Sequence, residues 1–139
     1  MTRRLAVAVL AAAVLLPEPA AAGALARCQD GARELEAVAR CLTALDLETL
    51  AALQRAEQRA AAGAREQDER SRRGNTAQAA LAQAARSFAL YQSAQCDYVQ
   101  ATTPGANVRP KSAGPGAADL ARIACRIDLA RQRIDDLEH

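Results

Sequence analysis

The stretch Ala117-Ala118-Asp119-Leu120-Ala121-Arg122-Ile123-Ala124-Cys125-Arg126-Ile127-Asp128-Leu129-Ala130-Arg131-Gln132-Arg133-Ile134-Asp135-Asp136-Leu137 decides the fold class. Leu120, Ile123, Ile127, Ala130, Ile134 and Leu137 recur in an unbroken alternation of three and four, which draws one apolar seam along a helix. Such a seam packs against another helix at a shallow angle. Cys125 lies well around the helix from that seam and is placed to staple a flanking segment rather than to fill the core.

Working backwards, residues 101 to 116 hold three of the five prolines and three of the seven glycines with no helical period. They read as an irregular loop. Before it, Leu81, Ala84, Phe88, Tyr91, Gln95 and Tyr98 recur at helical spacing, with Thr76 as the N-cap. This stripe holds Phe88, Tyr91 and Tyr98, the chain's three aromatics. They are expected to fill the core, which makes this the central helix. Ser71-Arg72-Arg73-Gly74-Asn75 reads as a helix stop.

Upstream, Leu35, Val38, Leu42 and Leu45 share a face of a helix expected from Gly31, with Asp30 as its cap. Leu47, Leu50 and Leu53 fall on a different stripe, so a break is expected near residues 43 to 47, with Asp46 capping a second helix. The run Arg65-Glu66-Gln67-Asp68-Glu69-Arg70 reads as a solvated helix end. The whole predicts an all-α fold, a small antiparallel bundle of three to four helices.

The N-terminus carries a different signal. Met1-Thr2-Arg3-Arg4 is a basic segment, Leu5 to Leu16 an uncharged apolar run, and Pro17-Glu18-Pro19 a break before small residues. That order marks a secretory signal peptide, here residues 1–26, with small-x-small cleavage sites ending at Ala22, Ala24 and Ala26. The apolar run is shorter than the roughly 20 residues a membrane-spanning helix needs, so no span is expected in the mature protein. Arg27 stands just before Cys28, where lipoprotein processing needs a small residue, and Cys28 is expected to carry no lipid. The expected compartment is periplasmic or extracellular, and bacterial.

The mature domain, residues 27–139, has 18 Leu, Ile, Val or Phe residues against 27 alanines. Alanine favours helix and close helix approach but buries little area, so covalent cross-links are valuable. Cys28, Cys41, Cys96 and Cys125 supply an even number of thiols in an oxidising compartment, and two disulfides follow. Pairing Cys28 with Cys41 and Cys96 with Cys125 keeps each bond local. A continuous helix over residues 31 to 41 extends about 16 Å and conflicts with the first bond unless the chain doubles back. Cys41 with Cys96 and Cys28 with Cys125 therefore stays open.

Composition excludes several functions. Of 18 basic and 16 acidic residues, removal of Arg3, Arg4 and Glu18 leaves 16 and 15, so the mature charge is +1 and shows no nucleic-acid footprint. The thiols lack the close pairs of a zinc site or a C-x-x-C redox motif. The single histidine is His139. No nucleophile-base arrangement or phosphate-binding glycine motif is present, so no enzyme and no cofactor is expected.

The segment Ala84-Ala85-Arg86-Ser87-Phe88-Ala89-Leu90-Tyr91-Gln92-Ser93-Ala94-Gln95-Cys96 resembles the A-Q-R-A-W-x-x-Y-R-D-A-E-C stretch of the secreted lysozyme-inhibitor-like proteins typified by LprI. Arg86, the aromatic Phe88, Tyr91, Ala94 and Cys96 fall in register. The run Cys125 to Leu137 is similar to that family's closing C-x-x-x-x-T-x-x-R-x-x-x-L, with Ala130 in the threonine slot and Arg133 in the arginine slot. Cys28 and Cys41 match its early cysteines, and Leu53-Gln54 its Leu-Asn pair. The chain departs from the pattern at Leu50, Gln54, Glu57, Phe88 and Gln92-Ser93. The resemblance implies a secreted helical domain that binds and inhibits a lysozyme-type muramidase. Its alternative is a non-catalytic envelope structural or assembly protein, acting as an oligomer. Arg86 and Arg133 read as exposed or snorkelling arginines paired with nearby acids. Arg109 and Lys111, on the proline- and glycine-rich loop, are the candidate partner contacts, suited to the acidic cleft of a muramidase.

Overall fold

The computed structural model describes residues 23–31, 34–72, 74–106 and 114–139. Residues 1–22, most of the expected signal peptide, and the loop positions Arg109 and Lys111 lie outside the described residues. The described residues form four helices: α1 (Ala24–Gln29), α2 (Leu35–Ser71), α3 (Thr76–Thr102) and α4 (Ala117–Glu138). Among the described residues there is no strand, and no helix is long and apolar enough to cross a membrane.

The expected helix start at Gly31 is corrected. Asp30 is the C-cap of α1, its N–H donating to the Ala26 carbonyl, while α2 begins at Leu35 behind Glu34. The chain thus doubles back between two helices instead of running straight through residues 31 to 41. That reversal brings the Cα atoms of Cys28 and Cys41 to 5.7 Å, and they form a disulfide. Cys96 of α3 and Cys125 of α4 form the other, with Cα atoms 5.6 Å apart. The local pairing is the one present.

The expected break near residues 43 to 47 does not occur. One helix runs through all 37 residues of α2, about 55 Å at 1.5 Å per residue. Its buried stripe is Val38, Leu42, Thr49, Leu53 and Ala56, with half-buried Leu45 between Leu42 and Thr49. The period never slips, because Thr49 holds the inward position that a leucine pattern skips. Leu47 and Leu50 are exposed, and their different phase is that of the solvent side. No glycine or proline interrupts residues 35 to 62. Asp46 caps nothing and pairs instead with Arg126 of α4.

The core lies where α1, the first turns of α2, and α4 meet. Ala24, Cys28, Val38, Leu42, Leu120, Ala124 and Ile127 form one buried cluster, with Leu25, Leu45 and Ile123 packed against it. The seam read in α4 is the one used: Leu120, Ile127 and Ala130 are buried, and Ile123, Ile134 and Leu137 partly so. At the N-terminus of α4, Gly116 N–H donates to the Asp119 carboxylate at 2.9 Å, one half of a capping box.

The structure overturns the expectation that α3 is central. Cys96 is its one buried residue. Its inward stripe is Leu81, Ala85, Phe88, Gln92, Gln95, Cys96 and Val99, all buried or half-buried. That stripe shares Leu81, Phe88 and Gln95 with the line read from the sequence but is centred about 60° around from it, which keeps Phe88 half-buried and leaves Tyr91 and Tyr98 outside. Two constraints set this rotation. The Cys96–Cys125 bond fixes which side of α3 meets α4, and the Gln92 side-chain amide donates to the Arg126 carbonyl at 3.0 Å. The helix ends at Thr102, where Thr103-Pro104-Gly105-Ala106 turns with Ala106 N–H donating to the Thr103 carbonyl and Gly105 at φ 83°. Proline followed by a positive-φ glycine is the chemistry of a type II turn.

Candidate interaction surface

Because α3 turns Gln92 and Gln95 inward with Leu81, Phe88 and Val99, three of its large apolar residues are left facing outward. Leu90, Tyr91 and Tyr98 are 75 %, 56 % and 64 % exposed. Tyr91 and Tyr98 are seven residues apart, two turns along one side of the helix and about 10 Å in rise, with exposed Ala94 between them. Tyrosine supplies a large contact area with little rotamer entropy and a hydroxyl that tolerates water, which suits a protein-binding face. Below this face, Asp97 of α3 pairs with Arg122 of α4 at 2.8 Å. With the adjacent Cys96–Cys125 bond, that pair ties α3 to α4 beside the tyrosines.

A shallow groove of about 310 Å³ lies between α2, α3 and α4, lined by Glu57, Ala61, Arg65, Leu81, Ala85 and Arg133. Arg133 does not take the acid-paired surface role expected of it. Its guanidinium carbon stands 5.8 Å from the centre of the Phe88 ring, within cation–π range. Arg86 is exposed and donates to the Gln83 side chain at 2.9 Å. The family-signature positions Phe88 and Arg133 thus join α3 to α4, while Tyr91 is left to solvent.

Near the end of α2, Asp68 is buried although its neighbours in the charged run are exposed. Its carboxylate accepts the backbone N–H groups of Ala77 and Gln78 at 2.8 and 3.1 Å, and the Gln78 side-chain amide at 3.2 Å. The N–H of Ala77 is the main cause that holds its pKa below the usual carboxylate value, with the two Gln78 contacts adding to it against the cost of burial. Asp68 is therefore a structural cap for α3. The expected cap at Thr76 is corrected, since Thr76 is already the first helical residue and Asn75 makes no side-chain cap bond.

Among the described residues, no cluster of His, Cys, Asp or Glu can hold a metal ion. What the described surface presents is a helix bearing exposed Leu90, Tyr91 and Tyr98 on a disulfide-stapled bundle. The family model described as lysozyme inhibitor LprI matches residues 26–137. The chain belongs to that family. No curated protein and no solved structure matches it significantly.

Proposed function

We propose that this protein is an extracytoplasmic inhibitor that binds a lysozyme-type muramidase and blocks it without chemistry of its own. The observation that carries this reading is the match to the lysozyme-inhibitor family over residues 26–137, which covers α2 and α3 whole, the second part of α1 and all but the last residue of α4. Two disulfides support an oxidising compartment. The exported, periplasmic location is part of the proposal, resting on the leader-like segment Met1 to Ala22.

The contact face in this reading is the outer side of α3. Without Arg3, Arg4 and Glu18 of the leader-like segment the formal net charge is +1, so attraction to a cationic lysozyme has no acidic surplus to draw on. Affinity then comes from apolar and aromatic burial at a few central residues, for which Tyr91, Tyr98 and Leu90 are the available anchors. The test is muramidase turnover on cell-wall substrate with excess oxidised protein, across several lysozyme classes. Inhibition that saturates at one inhibitor per enzyme supports the reading. Undiminished turnover in every class removes it and leaves a structural role in the envelope.

A further inference from the structure

We propose that a leader peptidase cuts after Ala22, and that the α-ammonium group freed on Gly23 pairs with the Asp128 carboxylate of α4. Sequence alone leaves three small-x-small sites, ending at Ala22, Ala24 and Ala26. The packing discriminates among them. Ala24 is wholly buried and belongs to the main core cluster with Leu42, Leu120 and Ile127. Leu25 packs against the same cluster. A cut after Ala24 removes that core residue, and a cut after Ala26 removes half of α1. Either cut also removes the Gly23 carbonyl, which accepts the Arg27 N–H at 3.1 Å in the first turn of α1. A cut after Ala22 leaves this corner of the fold complete.

Asp128 supplies an independent reason. One of its oxygens accepts the Ala24 N–H at 2.9 Å, across 104 residues of chain. The other lies 3.0 Å from where a Cβ on Gly23 would stand. The amino nitrogen of Gly23 is about 2.5 Å from that position by standard geometry and so within about 5.5 Å of the carboxylate, close enough for an opposite charge to favour both ions. The same crowding explains a glycine here, since a side chain would press on a carboxylate already held by Ala24. Lipid attachment at Cys28 is incompatible with this arrangement, because its sulfur is bonded to Cys41 and the residue would have to become the N-terminus.

The experiment has two readouts. The full chain is expressed with its own leader in a bacterium, and the processed product is measured by intact mass and N-terminal sequencing. An unlipidated chain starting at Gly23 is expected. A start at Leu25 or Arg27, a diacylglyceryl adduct on Cys28, or an uncut chain overturns the cleavage. For the ion pair, the chain starting at Gly23 and one retaining Ala21-Ala22 are each compared with their Asp128→Asn versions. The substitution is expected to lower the melting temperature of the Gly23 chain by about 2–4 °C more than that of the extended chain; equal losses overturn the pairing. If Asp128→Asn does not fold, acetylation of the Gly23 amine is timed in native and urea-unfolded protein. Roughly tenfold slower native reaction is expected, and equal rates overturn the pairing. Neither readout depends on muramidase inhibition.

Discussion

Asp68, in the last turn of α2, accepts the backbone N–H of Ala77 at 2.8 Å, so the end of one helix caps the start of the next. Helix N-termini leave N–H groups without partners inside the helix, and here one carboxylate upstream takes two of them, those of Ala77 and Gln78. The α2–α3 corner is therefore fixed by one carboxylate. Asp68→Ala is expected to lower the melting temperature clearly, and Asp68→Asn to do so less, since an amide oxygen still accepts one N–H. Thermal unfolding followed by circular dichroism measures both.

The same carboxylate sets a pH dependence. Its pKa is lowered in the folded state, so its stabilising contribution is fully present above the unfolded value near 3.9 and is lost as pH falls through the lowered folded value. Urea titrations at pH 7 and in the acid range are expected to show a stability loss on acidification that is smaller in Asp68→Asn. An identical loss in the two proteins would falsify the assignment.

Arg72 closes α2 in the left-handed region, at φ 52° and ψ 27°. A residue with a Cβ is strained there and glycine is not. Arg72→Gly relieves a backbone cost of about 1–2 kcal/mol against an entropic cost of about 0.5–1 kcal/mol for glycine, and the net gain is expected as a higher urea midpoint at unchanged slope.

Leu42 and Leu47 lie five residues apart on one helix and are 0 % and 66 % exposed. Leu42→Ala is expected to cost about 2–5 kcal/mol by opening a cavity. Leu47→Ala is expected to stay within about 0.5 kcal/mol. Comparable losses at the two positions in urea unfolding would contradict an unbroken α2 stripe.

The disulfides differ in the chain they enclose, with sequence separations of 13 and 29 residues. On loop-closure entropy, removal of Cys28–Cys41 costs about 3 kcal/mol and removal of Cys96–Cys125 about 3.6 kcal/mol. Paired serine substitutions, compared in denaturant, check that order. Loss of the second bond also frees the rotation of α3, so near-ultraviolet dichroism from Tyr91 and Tyr98 is expected to weaken more in that variant.

On the outer face of α3, Tyr91→Ala and Tyr98→Ala are each expected to weaken muramidase binding by about 2 kcal/mol, roughly 30-fold in Kd. Both side chains are more than half exposed, so stability should change by no more than about 0.5 kcal/mol. Unchanged binding in both variants, with a loss in the Arg109→Ala, Lys111→Ala double variant, moves the contact to the loop.

The sequence by itself determined the helical class, the seam of α4 and the number of disulfides, because each rests on local periodicity or on counting. Leu120 to Leu137 repeats with the helix, and that period holds whatever packs against it. Tertiary structure decided which face of each helix turns inward wherever a polar residue occupies a buried position. Thr49 in α2 and Gln92 and Gln95 in α3 sit in the inward stripes, so hydrophobicity pointed to a false break near Asp46 and to the wrong face of α3. Gln92 is placed there by its bond to the Arg126 carbonyl, and Asp68 is buried by N–H groups across a helix turn. Such partners are neighbours only once the chain has folded back. Tyr91 and Tyr98 face outward because the bond from Cys96 to Cys125 assigns the opposite side of α3 to the bundle, a choice that no residue of α3 makes alone.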